Sequence, residues 1–279
     1  MRAARLAGAL GKRVGLAEAA RIGGTCVIQG CVPKKLMMYA AAYGDVFKES
    51  ASFGWSAPEY SFNFQDFVEK RDNEITRLEG IYTNNLKRNQ VEIYKSKASL
   101  LGENEIALLD LDKKITAKNI IIATGASSLY PSALEGAQHC LLSQDIFALK
   151  ELPSSLLVLG AGYIGIEFAS IFHGLGVPVT LLHRGDCILR SFDRELTQEL
   201  TQSLQARGIK ICLNTNVKEI MPPEQGLLAA VTANGEKYKA HKILLALGRV
   251  PHTQGLGLER AGINLSLIHI SEPTRLRRI

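Results

Sequence analysis

Apolar residues recur along this chain in two rhythms, short unbroken runs and stripes spaced three to four positions apart. Runs at residues 14–17, 91–94, 106–109, 120–123, 156–159, 179–182 and 243–247 predict strands. Those at 14–17, 156–159 and 243–247 lack polar alternation and read as parallel strands covered on both faces. The stripes predict helices at 2–10, at 164–175 and through most of 33–86, where Phe67, Ile75, Leu78 and Leu86 share a face and charges occupy the others. Residues 222–235 are rich in turn formers. One unit recurs: strand, glycine turn, helix and strand over 155–182, and a helix followed by a strand over 2–17. The expected fold class is therefore α/β, with two tandem nucleotide-binding units on parallel strands.

A length of 279 residues accommodates about two domains. Hydrophobic residues at 46% and charged residues at 22% are ordinary for packed domains and argue against a disordered or fibrous chain. No apolar run approaches the roughly 18 residues of a membrane-crossing helix, so no membrane partner is expected. Lys and Arg outnumber Asp and Glu by 33 to 27, yet Arg275, Arg277 and Arg278 supply half of that excess, which leaves little for a nucleic-acid partner. The five cysteines are odd in number and not spaced as a disulfide framework, and no Cys and His residues stand at metal-ligand spacing. The expectations are a reducing compartment, the cytoplasm, and no metal site. The opening residues imitate a secretion signal, but Gly8, Gly11, Lys12 and Arg13 break its apolar stretch.

Leu159-Gly160-Ala161-Gly162-Tyr163-Ile164-Gly165 places G-x-G-x-x-G between an apolar strand and an apolar helix, the setting in which that pattern specifies dinucleotide binding. Gly160 permits the tight turn, Gly162 lets a pyrophosphate approach the backbone, and Gly165 lets helix and strand pack. The following strand ends at His183 and Arg184, with Arg190 soon after. NAD-binding folds carry an acid there for the ribose hydroxyls. Two guanidiniums instead offer planar charged donors to a 2′-phosphate, which favours NADPH. Two arginines on a solvated loop are the plain alternative.

Gly23-Gly24-Thr25-Cys26-Val27-Ile28-Gln29-Gly30-Cys31-Val32-Pro33-Lys34-Lys35 is the other concentrated signal. Two cysteines five apart with glycines around them can meet in a disulfide at the first turn of a helix, where the helix dipole favours an anionic sulfur. Two unconnected buried cysteines are the alternative. The pattern G-G-T-C-x-x-x-x-G-C-V-P-K-K resembles the redox-active pair of the flavin-dependent pyridine nucleotide-disulfide oxidoreductases. Its Lys-Lys ending is similar to the glutathione reductase branch, whereas dihydrolipoamide dehydrogenases carry Pro-Ser-Lys and use NAD. Thioredoxin, trypanothione and mercuric reductases share the family.

That resemblance implies two Rossmann-like domains, FAD and NADPH as cofactors, glutathione disulfide as substrate and a homodimer for the full-length parent. It implies Glu18 on the FAD ribose, Ala98 near the adenine, Thr25, Cys26 and Lys34 near the flavin, Cys31 as the charge-transfer thiolate and Cys26 as the sulfur that attacks substrate. Glu167 is expected to pair with Lys34, and Tyr163 to gate the flavin. Gly160, Ala161, Gly162, Ile164, Gly165, Glu167, Arg184, Arg190 and Gly248 are expected around NADPH, with Gly125 and Gly248 in two hinge motifs. Tyr82 and Arg5 match substrate-binding positions, although solvated side chains on amphipathic helices explain both equally well.

The implied domains are 1–125 for FAD and the redox pair, 126–252 for NADPH, and 253–264 returning to the FAD domain. Residues 265–279 are expected to be a non-native tail, because Leu265-Ser266-Leu267-Ile268-His269-Ile270-Ser271-Glu272-Pro273-Thr274-Arg275 resembles a translated sequencing adapter. The family's N-terminal FAD glycine loop, a later Gly-Asp motif and its His-Glu acid-base pair have no match in this sequence. The chain is accordingly expected to be a piece of a larger reductase, inactive by itself. A non-catalytic NADPH-binding module over 126–264, with cysteines that only switch conformation, is the rival from another class.

Overall fold

A computed structural model of the protein describes residues 1–56 and 61–265, so the adapter-like tail beyond Leu265 lies outside the described residues. In chain order the first elements are α1 (Arg2–Ala9), β1 (Val14–Ala17), α2 (Gly24–Gln29), α3 (Cys31–Ser50), α4 (Phe64–Arg88), β2 (Val91–Tyr94), β3 (Ala98–Leu100), β4 (Glu105–Leu108), β5 (Lys113–Thr116) and β6 (Ala126–Ser128). There follow β7 (Leu141–Leu142), β8 (Leu156–Leu159), α5 (Tyr163–Gly174), β9 (Val179–Leu182), α6 (Arg194–Ala206), β10 (Lys210–Cys212), β11 (Val217–Glu224), β12 (Leu227–Thr232), β13 (Lys237–Ala240), β14 (Lys242–Leu245) and β15 (Arg249–Pro251). They form two compact units. One comprises Met1–Ile28, Ile75–Ser127 and the residues from Val250 onward; the other comprises Gln29–Glu74 and Ser128–Arg249. The helical stretch 29–74, which the sequence reading groups with the first domain, thus falls in the second unit.

The second unit is built on a five-stranded parallel sheet of order β10-β9-β8-β14-β7. All four residues of β8 are buried, because the sheet is covered on both faces. Leu156 and Val158 enter a core with Phe168 and Phe172 of α5, Met37 of α3 and Leu204 of α6. Leu157 and Leu159 enter a second core with Ile220, Leu228, Ala230 and Ala240 of the antiparallel sheet β11-β12-β13. β9 lies on one side of β8 and β14 on the other, so the strand order reverses at β8, the position where open α/β sheets bind ligands.

The turn-rich stretch 222–235 holds strand as well as turns. β11 and β12 form a hairpin closed at Gln225 and Gly226, whose φ angles of 51° and 81° suit the two-residue turns that match strand twist. Pro222 and Pro223 fit because β11 is an edge strand whose ladder shifts register between Met221 and Glu224, where no amide is required.

In the first unit, β1 pairs in parallel with β2, from Val14 opposite Val91 to Ala17 opposite Tyr94. No third strand joins this pair among the described residues, so Val14 and Leu16 are half-buried and Gly15 and Ala17 exposed, rather than covered as predicted. Residues 120–123 are likewise not a strand. Ile121 is 75% exposed and Ile122 43%, and without a ladder partner among the described residues an apolar run cannot pair its backbone as a strand. β3, β4 and β5 form an antiparallel meander in the same unit. No described helix is long and apolar enough to cross a membrane.

Candidate functional site

The turn after β8 separates the tasks of its three glycines. Gly160 has φ +108°, and a Cβ there would lie 2.4 Å from the Ala246 carbonyl oxygen. At Gly165 a Cβ would lie 2.1 Å from the Gly160 oxygen. Both are fixed by the protein's own backbone. Gly162 is different: it stands at the N-terminus of α5, no side chain caps the helix there, and the space a Cβ would take is open. Amides at an uncapped helix N-terminus, approachable over bare backbone, suit a pyrophosphate.

The loop from 183 to 193 runs beside this turn. Arg184 and Arg190 are exposed. Burial holds His183 below its usual imidazole value, Arg184 and Arg190 push it the same way, and Asp186 opposes them. Asp186 is itself held low by Arg194, 2.8 Å away. Asp193 caps α6 by accepting from the amides of Glu195 and Leu196. Leu189 takes φ +47°, and its N–H donates to the Ala161 carbonyl over 2.8 Å. Sequence reasoning missed Leu189, and nothing in a leucine's identity signals a left-handed backbone.

α3 opens at Cys31, after Gly30, with Pro33 in a first turn that has no use for its missing N–H. It packs closely on α5: Met37 is fully buried, and a Cβ on Gly174 would stand 2.9 Å from that of Ala41. This crossing brings Lys34 Nζ to Glu167 Oε2, to which it donates, and places it 5.9 Å from the centre of the Tyr163 ring. Glu167 remains 42% exposed, so the ion pair contributes only about 0–1 kcal/mol, and its importance is geometric: it ties the helix that begins with Cys31 to the helix that begins at the glycine turn. Ala161 is buried and Ile164 half-buried in the same turn, and Gly248, with φ +124°, accepts from the Leu129 amide.

In the first unit, Gly23 and Gly24 have φ +154° and +69° and turn the chain into α2, where Thr25 and Cys26 are exposed and Val27 is buried. Cys26 and Cys31 are both exposed and not joined in a disulfide, and the division between units passes between them, after Ile28. Glu18 follows β1 and accepts from the Ala20 amide. Ala98 is half-buried at the start of β3, Arg5 is exposed on α1, and Tyr82 is 38% exposed on α4. Gly125, with φ +73°, accepts from the His252 amide, and Thr124 donates to the His252 carbonyl over 2.6 Å. Among the described residues no group of His, Cys, Asp and Glu is placed to hold a metal ion.

A parallel sheet with a G-x-G-x-x-G turn at its strand-order reversal is the arrangement that dinucleotide-binding folds share. Residues 1–271 match the family model described as pyridine nucleotide-disulphide oxidoreductase, and the chain belongs to that family. It is 40% identical over 265 residues to a glutathione reductase of Burkholderia cepacia, covering 95% of this chain and 58% of that one. Against a trypanothione reductase of Trypanosoma congolense the identity is 35% over 262 residues, covering 88% and 53%. The solved structure of the HOCl-induced flavoprotein disulfide reductase RclA from Escherichia coli superposes with a TM-score of 0.83 at 27% identity, over 95% of this chain and 57% of that one. The chain thus spans a little over half the length of the curated relatives it matches. The family match also runs past Asn264, where the motif resemblance stops.

The family implies a pyridine nucleotide and a flavin. The open cradle at Gly162 and the exposed arginines fit the nucleotide. For the flavin, the first unit supplies Glu18 after β1, but no G-x-G-x-x-G turn joins a strand to a helix among its described residues, so they do not complete a second pyrophosphate site.

Proposed function

We propose that this chain carries the nucleotide-handling and dithiol-handling parts of an NADPH-dependent, FAD-containing disulfide reductase whose substrate is glutathione disulfide. The observation that carries the reading is the Lys34–Glu167 pair, which fastens the helix opening at Cys31 to the helix opening at the dinucleotide turn. In this reading 126–252 hold NADPH, with Gly160, Ala161, Gly162, Ile164 and Gly165 around the pyrophosphate, Arg184 and Arg190 on the 2′-phosphate, and Glu167, Tyr163 and Gly248 toward the nicotinamide half. Residues 1–125 and 253–264 contribute Glu18, Thr25, Ala98 and Gly125 to the flavin side, and Arg5 and Tyr82 to the substrate. The functional enzyme is a homodimer.

The chemistry of the chain's own sulfurs is thiol–disulfide exchange. Cys26 attacks the substrate disulfide, one glutathione leaves with a proton, and a mixed disulfide forms on Cys26. Cys31 then attacks Cys26, releasing the second glutathione and closing a Cys26–Cys31 disulfide. A hydride equivalent from NADPH and one proton from solvent together supply the two electrons and two protons that restore the dithiol.

The test uses the chain itself, reduced beforehand and mixed with glutathione disulfide. Wild type should release both halves of the substrate. Cys31→Ser should release one and retain the other as a mass increase on Cys26, and Cys26→Ser should release neither. Equal release from wild type and Cys26→Ser would sink the assignment, and a preference for trypanothione disulfide in the same assay would replace the substrate.

A further inference from the structure

The loop between β9 and α6 is anchored more firmly than a phosphate-binding loop of exposed arginines needs to be. Ile188 is fully buried, and Leu189 packs against the main core of the second unit. A leucine in the left-handed region is sterically disfavoured, so its surroundings must hold it there. The surroundings are identifiable. The Leu189 N–H reaches the Ala161 carbonyl inside the glycine turn over 2.8 Å, and the Leu189 carbonyl accepts from the Phe192 amide, also over 2.8 Å. Asp186 and Arg194 close the loop from outside, and the Asp193 cap fixes where α6 begins. The reversal at Leu189 lets buried Ile188 be followed by exposed Arg190 while the backbone stays tied to the turn.

We infer that Leu189 is a specificity-determining positioning residue: its left-handed backbone, hydrogen-bonded to Ala161, sets the spacing between the pyrophosphate turn and Arg190 and so the preference for a 2′-phosphorylated dinucleotide. This rests on the reading of Arg184 and Arg190 as 2′-phosphate ligands. Leu189 itself touches no nucleotide; it acts through Arg190.

The experiment is calorimetric titration of the full chain with NADP⁺ and with NAD⁺. Leu189→Gly, which adopts positive φ without strain, should keep the wild-type affinity ratio to within about twofold. Leu189→Ala removes the anchoring side chain but keeps the penalty at positive φ, so the loop should relax and NADP⁺ affinity fall by about tenfold, the scale of one charge-assisted contact, with NAD⁺ affinity unmoved. Leu189→Val should fall at least as far; if it does not fold, the Gly and Ala variants decide alone. A purely structural role for Leu189 would lower the melting temperature of the variants and leave the NADP⁺ to NAD⁺ ratio unchanged, and that outcome overturns the inference. An Arg184→Gln, Arg190→Gln double variant with unchanged NADP⁺ affinity would instead overturn the underlying assignment. Loss in the arginine double variant combined with an unchanged ratio in Leu189→Ala defeats the positioning role alone.

Discussion

Strands β8 and β1 are both four-residue apolar runs, and their fates differ completely. Among the described residues β8 is paired along both edges and buried on both faces, whereas β1 is paired along one edge with two of its four residues exposed. The local signal is the same; what differs is how many neighbours the rest of the chain supplies. Apolar area leaves water only where a second layer covers it, so a run of this kind contributes stability in proportion to its surroundings rather than its composition.

Truncating a leucine in each strand should expose the largest difference. Leu157→Ala, at 1% exposure, should cost about 2–5 kcal/mol, and Leu16→Ala, half-buried in β1, about 1 kcal/mol or less. Denaturant unfolding followed at sites in each unit should show the first unit melting earlier, and equal losses from the two truncations would break the comparison. The glycine turn offers a finer version. Gly160→Ala should destabilise by about 1–3 kcal/mol through its backbone clash, while Gly162→Ala should leave stability within about 1 kcal/mol of wild type yet abolish nucleotide binding. Nucleotide binding that survives Gly162→Ala would show the open space to be unrelated to ligand.

Smaller still is the ion pair between α3 and α5, where Glu167→Gln should change stability by about 1 kcal/mol at most. The last contrast is one of pH. The folded value of His183 lies below the unfolded value near 6.5, so the fold favours the neutral ring. Its contribution is complete above about pH 6.5 and is lost as pH falls through the folded value. His183→Asn should flatten that part of the stability profile, and an unchanged acid slope would place the titration elsewhere. Thiol reactivity separates the cysteines in the same way: burial pushes Cys140 up to about 12, so it should alkylate far more slowly at pH 8 than exposed Cys31.

What could be read from sequence follows the same division. Leu156 to Gly165 was legible because strand, turn and helix are contiguous, and each glycine has a local reason to be there. Residues 120–123 misled because their apolarity is local while a ladder partner is not. Pro222 and Pro223 open a turn-rich stretch yet lie in a strand, since an edge strand with a register shift absorbs them. Lys34 and Glu167 stand far apart in sequence, so only the family pattern suggested their pairing. The sign of φ at Leu189 has no sequence signature at all.

Among the described residues one edge of β1 is unpaired and Ile121 and Ile122 are exposed, which bears on how these 279 residues behave in solution when nothing else covers them. Ile120-Ile121-Ile122-Ala123 carries no charge and no proline, and β-branched residues of this kind pair readily with any unsatisfied strand edge. Taken by themselves, these 279 residues therefore offer both a segment and an edge that can join an intermolecular β-ladder. Self-association of this chain taken by itself should rise with concentration, and a lysine in place of Ile121 would act as a gatekeeper that keeps it dispersed without touching the five-stranded parallel sheet.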